Sequence, residues 1–375
     1  MTPAAAPDAS LAQGALARDP GTRRALVDAA SLGRILVRLP NWLGDVCMAA
    51  PAIAALAAAA PQARFVIACR PSVASIAGRL PAVEDVIALD AERGLRAASR
   101  IAKTYRAARC DAAILCPRSF SSALPVALAR VPIRIGFASD VRSLLLTHPI
   151  RGWKALRLPH RRAYFGRLIE PFGLGVPTAP WGFSPGEPDL AWADAWLAAA
   201  PGRRAGLPVV AFEPGGAYGV AKRWPADRYA ALAGRLVREG RADVVLVGTK
   251  DMADLHARIA EGAAAGPAVI SAAGATNLPQ LAGLLARCRL LVTNDTGPMH
   301  LAAAVGTPVL ALFGSTDPAG CSPMGRAPSK VLYDRVECSP CDLKVCPVPG
   351  HPCLDQFEVD RVFAEALALL GAGPG

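Results

Sequence analysis

Short apolar runs separated by helix-length stretches recur along this chain, and the series plays through twice. The first series has runs at 34–39, 64–69, 85–89, 111–116 and 134–137, with helical stretches at 46–60, 91–109 and 119–130. Strands that alternate with helices pair in parallel, because a parallel neighbour is reached only through a long crossover. Residues 176–206 break the rhythm with Pro177, Pro180, Pro185, Pro188 and Pro201 around a short Trp-containing helix, the composition of an interdomain connection. The second series has runs at 208–213, 243–248, 268–272, 289–294 and 308–314, with helices at 225–240 and 251–264 and a last one at 360–370. The predicted class is α/β with two Rossmann-like parallel-sheet domains. A poorly ordered extension over 1–33 is expected ahead of the first domain, 34–176; a linker over 177–206 leads to the second, 207–357, and a C-terminal helix lies within 358–375.

A length of 375 residues exceeds one ordinary core and suits two. With 53% hydrophobic and 19% charged residues, the chain is a well-buried globular protein and not a disordered one. No apolar run reaches the roughly 18–20 residues of a membrane span, and the first 33 residues lack the apolar block of a secretory signal. A cytoplasmic location is expected. The formal charge of +11 is lopsided. Residues 1–180 carry 24 Lys and Arg against 11 Asp and Glu, a net of +13, whereas residues 181–375 carry 17 against 19, a net of −2. Such a half is suited to an anionic partner, although the same Arg-rich composition also fits plain solvated faces. A nucleic-acid binder would account for the charge, but the basic half has no interleaved aromatics and no known binding signature.

In open parallel sheets, ligands bind at the carboxyl ends of the strands. Three such loops carry polar chemistry. After 209–213 comes Pro214-Gly-Gly-Ala-Tyr-Gly219 and then Lys222-Arg-Trp224. Gly215 and Gly216 allow backbone N–H groups to approach phosphate oxygens, and Lys222 adds a mobile point charge. An ordinary turn before a helix would look the same. The second loop, Asn294-Asp-Thr-Gly-Pro-Met-His300, places Asp295 or Thr296 as a cap on a helix whose N–H groups suit pyrophosphate. Asp295 would repel phosphate and so fits sugar hydroxyls better, while His300 sits one turn in. The third, Gly44-Asp45, puts a carboxylate where it could take a proton from an attacking hydroxyl; a structural N-cap is the competing role. Cys338, Cys341, Cys346 and Cys353 fall within 16 residues, which in a reducing compartment suggests a zinc or iron site, or simply reduced thiols in a compact loop.

Taken together, Pro40-Asn-Trp-Leu-Gly-Asp45, Lys222-Arg-Trp224 and Asn294 to His300 resemble the ADP-heptose:lipopolysaccharide heptosyltransferases, glycosyltransferase family 9. The resemblance continues through Gly306-Thr-Pro308 and Phe313-Gly-Ser-Thr-Asp-Pro318 and spans roughly 34–370. The Asn-Trp-Leu-Gly-Asp form, the Cys cluster and Arg118-Ser-Phe-Ser-Ser-Ala123 with Arg134-Ile-Gly136 resemble the second-heptosyltransferase branch more than the first. The resemblance implies a GT-B fold of two facing domains, the first binding acceptor and the second ADP-heptose, with the last helix packing back across the hinge. It implies Asp45 as general base, Lys222 on the diphosphate and Asp295 on the heptose. Thr296 and Gly297 would supply donors, and His300 would line the pocket. Gly215 and Gly216 would serve through backbone N–H groups where some relatives carry hydroxyls. Arg118, Arg134 and Arg142 are the candidates for a phosphorylated Kdo–lipid A acceptor, with peripheral contact at the inner face of the inner membrane and no nucleic acid. No Asp-x-Asp motif is present and no cofactor is expected for transfer. A nucleotide-sugar epimerase would share the architecture; a Rossmann dehydrogenase would need a G-x-G-x-x-G turn that neither first strand supplies.

Overall fold

A computed structural model of the chain describes residues 26–90, 94–152 and 160–371. Contacts divide it into two compact units, 1–41 with 49–179, and 42–48 with 180–375. Of the expected N-terminal extension, residues 1–25 lie outside the described residues. Its last residues belong to the first unit: the Val27 N–H donates to the Pro171 carbonyl, and Leu32 is buried.

The first unit runs β1 (Arg34–Arg38), α1 (Leu43–Ala59), β2 (Arg64–Cys69), α2 (Ala74–Ala77), β3 (Val83–Ala88) and α3 (Leu95–Ala107). It continues with β4 (Ala112–Leu115), α4 (Phe120–Leu128), β5 (Ile133–Phe137), β6 (His148–Ile150) and α5 (Arg161–Gly166). Every strand pair is parallel, and the order is β3-β2-β1-β4-β5-β6. The register sets Leu36 of β1 between Val66 of β2 and Ala113 of β4. Those three residues face the side where α3 and α4 pack, with Ala102, Tyr105, Ala123 and Val126 closing the core. Alternate residues Ile35 and Val37 are equally buried, so β1 is covered on both faces, as an interior parallel strand must be.

The second unit contains α6 (Glu187–Ala199), β7 (Val209–Glu213), α7 (Ala226–Arg238), β8 (Asp243–Gly248), α8 (Ala253–Ala263), β9 (Val269–Ala273) and α9 (Leu278–Ala286). After these come β10 (Leu290–Asn294), α10 (Gly297–Val305), β11 (Val309–Leu312), α11 (Pro318–Cys321), β12 (Ser329–Leu332), α12 (Pro352–Asp355) and α13 (Val359–Gly371). Its order, β12-β11-β10-β7-β8-β9, is the same pattern as the first when counted from its own first strand. Helix α7 buries Tyr229, Leu232, Ala233 and Leu236, the i, i+3, i+4, i+7 stripe of an amphipathic helix. Each fully buried Leu or Phe of such a core contributes roughly 2 kcal/mol. The stretch 177–206 holds α6, which packs on α9. The last helix, α13, packs on α7, β10 and β11 through Val362, Phe363 and Ala366. No described helix is long and apolar enough to cross a membrane.

Candidate active site

A doubly wound sheet opens a crevice where strands leave in opposite directions from its first strand. In the second unit that point lies between β7 and β10, which end at Glu213 and Asn294 with Glu213 registered against Thr293. Both loops singled out in the sequence therefore emerge side by side. Behind the first, Pro214, Gly215 and Gly216 are buried while Ala217 and Tyr218 are exposed. Gly215 is required by closeness: a Cβ there would lie 2.8 Å from Glu213 Oε1.

Asn294 ties the two loops together. Its Oδ1 accepts from the Trp224 N–H at 3.0 Å and from the Tyr229 hydroxyl at 3.1 Å, and its Nδ2 donates to the Gly215 carbonyl at 2.8 Å. Trp224, 1% exposed, stands edge-on to Tyr229 and donates its indole N–H to the Phe357 carbonyl. Anchored in this way, the Lys222-Arg-Trp224 segment fixes where Lys222 sits. Its ammonium lies 2.5 Å from Asp295 Oδ2, which also accepts from the Thr316 hydroxyl at 2.8 Å. Lys222 and Asp295, assigned above to different parts of a donor, are thus partners in one partly buried ion pair. Water is mostly excluded there, with side-chain exposures of 13% and 8%, so the Lys charge is screened little.

Helix α10 begins at the same place. Thr296 is its N-cap residue but makes no side-chain cap bond. The Thr296 hydroxyl instead meets that of Thr293 at 3.2 Å, which in turn reaches Glu213 at 3.4 Å. The N–H groups of the first turn, around Gly297, thus keep their capacity for an anion, aided by the helix dipole. His300 is buried one turn in. Glu213 lies under the glycine loop with 6% exposure. Burial pushes its carboxyl up to about 7, against the lowering effect of the Thr296 and Thr293 hydroxyls and the Arg223 charge. A carboxyl raised this far carries only part of its negative charge near neutral pH.

The cysteine segment is expected to hold zinc or iron, or reduced thiols in a compact loop. Among the described residues, no three His, Cys, Asp or Glu side chains are grouped so as to hold a metal ion. Cys338 is exposed, Cys341 and Cys346 are half-buried, and Cys353 is buried with its thiol pushed up to about 11 by burial. The expected zinc or iron site thus finds no support in the grouping of the described residues. The segment acts as a strut: the Lys344 carbonyl accepts from the Ala221 N–H, and the Asp342 carbonyl accepts from the Tyr218 hydroxyl. His351 Nε2 lies 2.9 Å from the Ala221 carbonyl, while the Cys341 and Asp342 N–H groups donate to Ser315. The segment thereby ties the loop after β7 to the segment after β11.

Asp45 occupies the first turn of α1, half-buried, in the 42–48 segment that groups with the second unit. Of the three arginines, Arg118 is exposed, with its guanidinium 5.8 Å from the Tyr164 ring centre. Arg134 is engaged by backbone, donating to the Leu145 and Val131 carbonyls. Arg142 is 1% exposed and donates to the Phe137 carbonyl; its Nε and Nη2 have no hydrogen-bond partner among the described residues, and burial pushes it down to about 10. A Cβ at Gly136 would sit 2.8 Å from that Nη2, which accounts for the glycine. Sequence reasoning missed Glu213, Asn294 and Thr316. The available signal was a polar residue at a buried strand end, where an apolar one would be cheaper.

The model of glycosyltransferase family 9 (heptosyltransferase) matches residues 98–351. Lipopolysaccharide heptosyltransferase 2 of Salmonella typhimurium is 31% identical over 306 residues, 76% of this chain and 84% of that protein. The Escherichia coli K12 protein of the same name is 30% identical over 313 residues, again covering 76% and 84%. The solved structure of E. coli ADP-heptose lps heptosyltransferase II superposes with a TM-score of 0.74 at 27% identity, covering 91% of this chain and all of that one.

Proposed function

Because this chain belongs to glycosyltransferase family 9, the heptosyltransferases, we propose that it moves heptose from ADP-heptose to the inner-core heptose/Kdo region of a lipopolysaccharide acceptor. The observation that carries this reading is the junction of the two loops at the β7/β10 crevice: a fixed ammonium and a helix end whose N-cap side chain makes no cap bond. That combination suits a sugar diphosphate. Donors aimed where charge develops accelerate its departure most, since they need no reorganisation during reaction.

In the proposed step the acceptor oxygen attacks the anomeric carbon from the face opposite the diphosphate. The new C–O bond forms as the old one breaks, with inversion. Asp45 takes the hydroxyl proton, and the electron pair leaves with ADP. Lys222 and the N–H groups at Thr296 and Gly297 receive the growing charge, backed by Gly215 and Gly216. Asp295, with one oxygen on Lys222, orients the ammonium and offers its other oxygen to the heptose hydroxyls; His300 lines the pocket. Arg118 is assigned to acceptor phosphates or carboxylates. Arg134 and Arg142, turned to carbonyls around β5, hold the segment whose Ser139 hydroxyl donates to the Arg118 carbonyl. A lipid-anchored acceptor places this chemistry at the cytoplasmic face of the inner membrane.

The test is incubation with ADP-heptose and truncated core acceptors, read by mass. Expected is one heptose added per acceptor with stoichiometric ADP. Conversion of the donor to an epimer without acceptor would replace this reading with an epimerase.

A further inference from the structure

The charge asymmetry of the sequence condenses onto one face of the first unit. Between residues 94 and 145, the span of the three elements, there are nine Lys and Arg against two acids, Asp140 at the start of the 3-10 turn and Asp111. The Asp111 carboxylate accepts from the Gly33 and Arg34 N–H groups at the amino ends of the strands, away from the helix starts. Helix α3 has a cationic outer stripe, with Arg96, Arg100, Lys103 and Arg106 all exposed and no acid along its length. Helix α4 packs beside it, and the Arg106 guanidinium donates to the Leu128 carbonyl at its end. The 3-10 turn Asp140–Leu145 packs on α4 in turn.

This same face carries large apolar side chains turned to solvent. Leu95 is 77% exposed, Phe120 46%, Val141 65% and Leu144 82%. Large apolar side chains bare to solvent at three neighbouring element starts, on a unit rich in exposed cations, favour a partner that offers both apolar and anionic chemistry. Apolar tips within a cationic field match the interface of an anionic bilayer, where side chains reach the acyl boundary while ammonium and guanidinium groups meet phosphates. The starts of α3, α4 and the 3-10 turn follow the carboxyl ends of β3, β4 and β5, the edge of the sheet where a ligand would enter.

We propose that the α3–α4–(140–145) face docks on anionic phospholipid, bringing the first unit to a membrane-held acceptor; this rests on the reading of the acceptor as lipid-anchored. The test is co-sedimentation of the full chain with phosphatidylglycerol/phosphatidylcholine vesicles and with phosphatidylcholine vesicles alone, at low and high salt. Binding is expected only to the anionic vesicles and is expected to fall with salt. Arg96→Ala with Lys103→Ala should weaken it on the order of 25-fold, about fivefold per cation. Val141→Ser with Leu144→Ser should weaken it roughly tenfold. Turnover of a water-soluble truncated acceptor should be unchanged in both double variants, which also reports that they fold. Equal binding to neutral vesicles, unaltered binding by both variants, or tighter salt-sensitive binding to a DNA duplex would overturn the proposal. Loss of transfer to the soluble acceptor in the unmodified chain would instead defeat the transferase reading, leaving vesicle binding to be judged by itself.

Discussion

The two units share a strand order and differ in what they bury. Among the described residues, buried charged and polar side chains in the first unit come down to Arg142, whereas the second buries Glu213, Thr293, Asn294, Asp295, His300 and Thr316 around one crevice. Burying polar groups is costly unless each finds a partner. The second unit meets that cost with a connected network, so its geometry is set before any ligand arrives. The first unit keeps its charge outside, where long side chains adapt to a variable partner. On the proposed reading, one scaffold serves a preset site for the leaving group and an adaptable face for the acceptor side.

That contrast breaks most sharply at the reacting centre. Asp45→Asn should lower turnover about 10³- to 10⁴-fold, within the range of a general base, as measured by initial rates. Retained turnover would remove Asp45 from the chemistry. Lys222→Ala should cost roughly 10²- to 10³-fold in kcat/KM for the donor. An effect on acceptor KM alone would move Lys222 out of the donor site. Asn294→Ala leaves the Trp224 N–H, the Tyr229 hydroxyl and the Gly215 carbonyl short of partners, so urea unfolding should show a loss of about 3 kcal/mol.

Glu213 gives a subtler test. Its folded pKa of about 7 stands above the ordinary 4.5, so the native chain holds this proton more tightly than the unfolded chain. Stability from this group is therefore full below about 4.5 and declines as pH rises to about 7, by roughly 3 kcal/mol. Glu213→Gln should remove that decline, and urea titrations at pH 5 and pH 8 should then converge. A decline as steep as in the unmodified chain would assign it to other groups. Smallest of all, Arg118→Ala should raise acceptor KM about fivefold without altering donor KM, as an exposed charge permits.

Much of this was legible from residue order. The alternation of apolar runs with helices locates β1, β2, β4, β7, β8 and β10, because interior strands are apolar on both faces. Strands β6 and β12 escaped notice: they are short and lie at sheet edges, one with Pro149 and the other opening Ser329-Lys330. Helix α9 was hidden by its uniform burial, which erases the helical period. At the site, glycines and a lysine stand out in any sequence. Asn294 does not, since its partners lie 65 to 79 residues away and only the fold brings them to it. The cysteines illustrate the converse. Their spacing suggested a metal, whereas the segment they punctuate braces Tyr218, Ala221 and Ser315 through backbone carbonyls and N–H groups.

The measurement that bears most directly on the division of labour is calorimetric titration of ADP into the chain, into Lys222→Ala and into Asp45→Asn. Expected is affinity at least tenfold weaker in Lys222→Ala and within about twofold of the unmodified chain in Asp45→Asn, the ammonium that meets the diphosphate being lost in one and untouched in the other. Equal ADP affinity in the unmodified chain and Lys222→Ala, or loss of binding in Asp45→Asn, would contradict a nucleotide held by the second unit at the β7/β10 crevice.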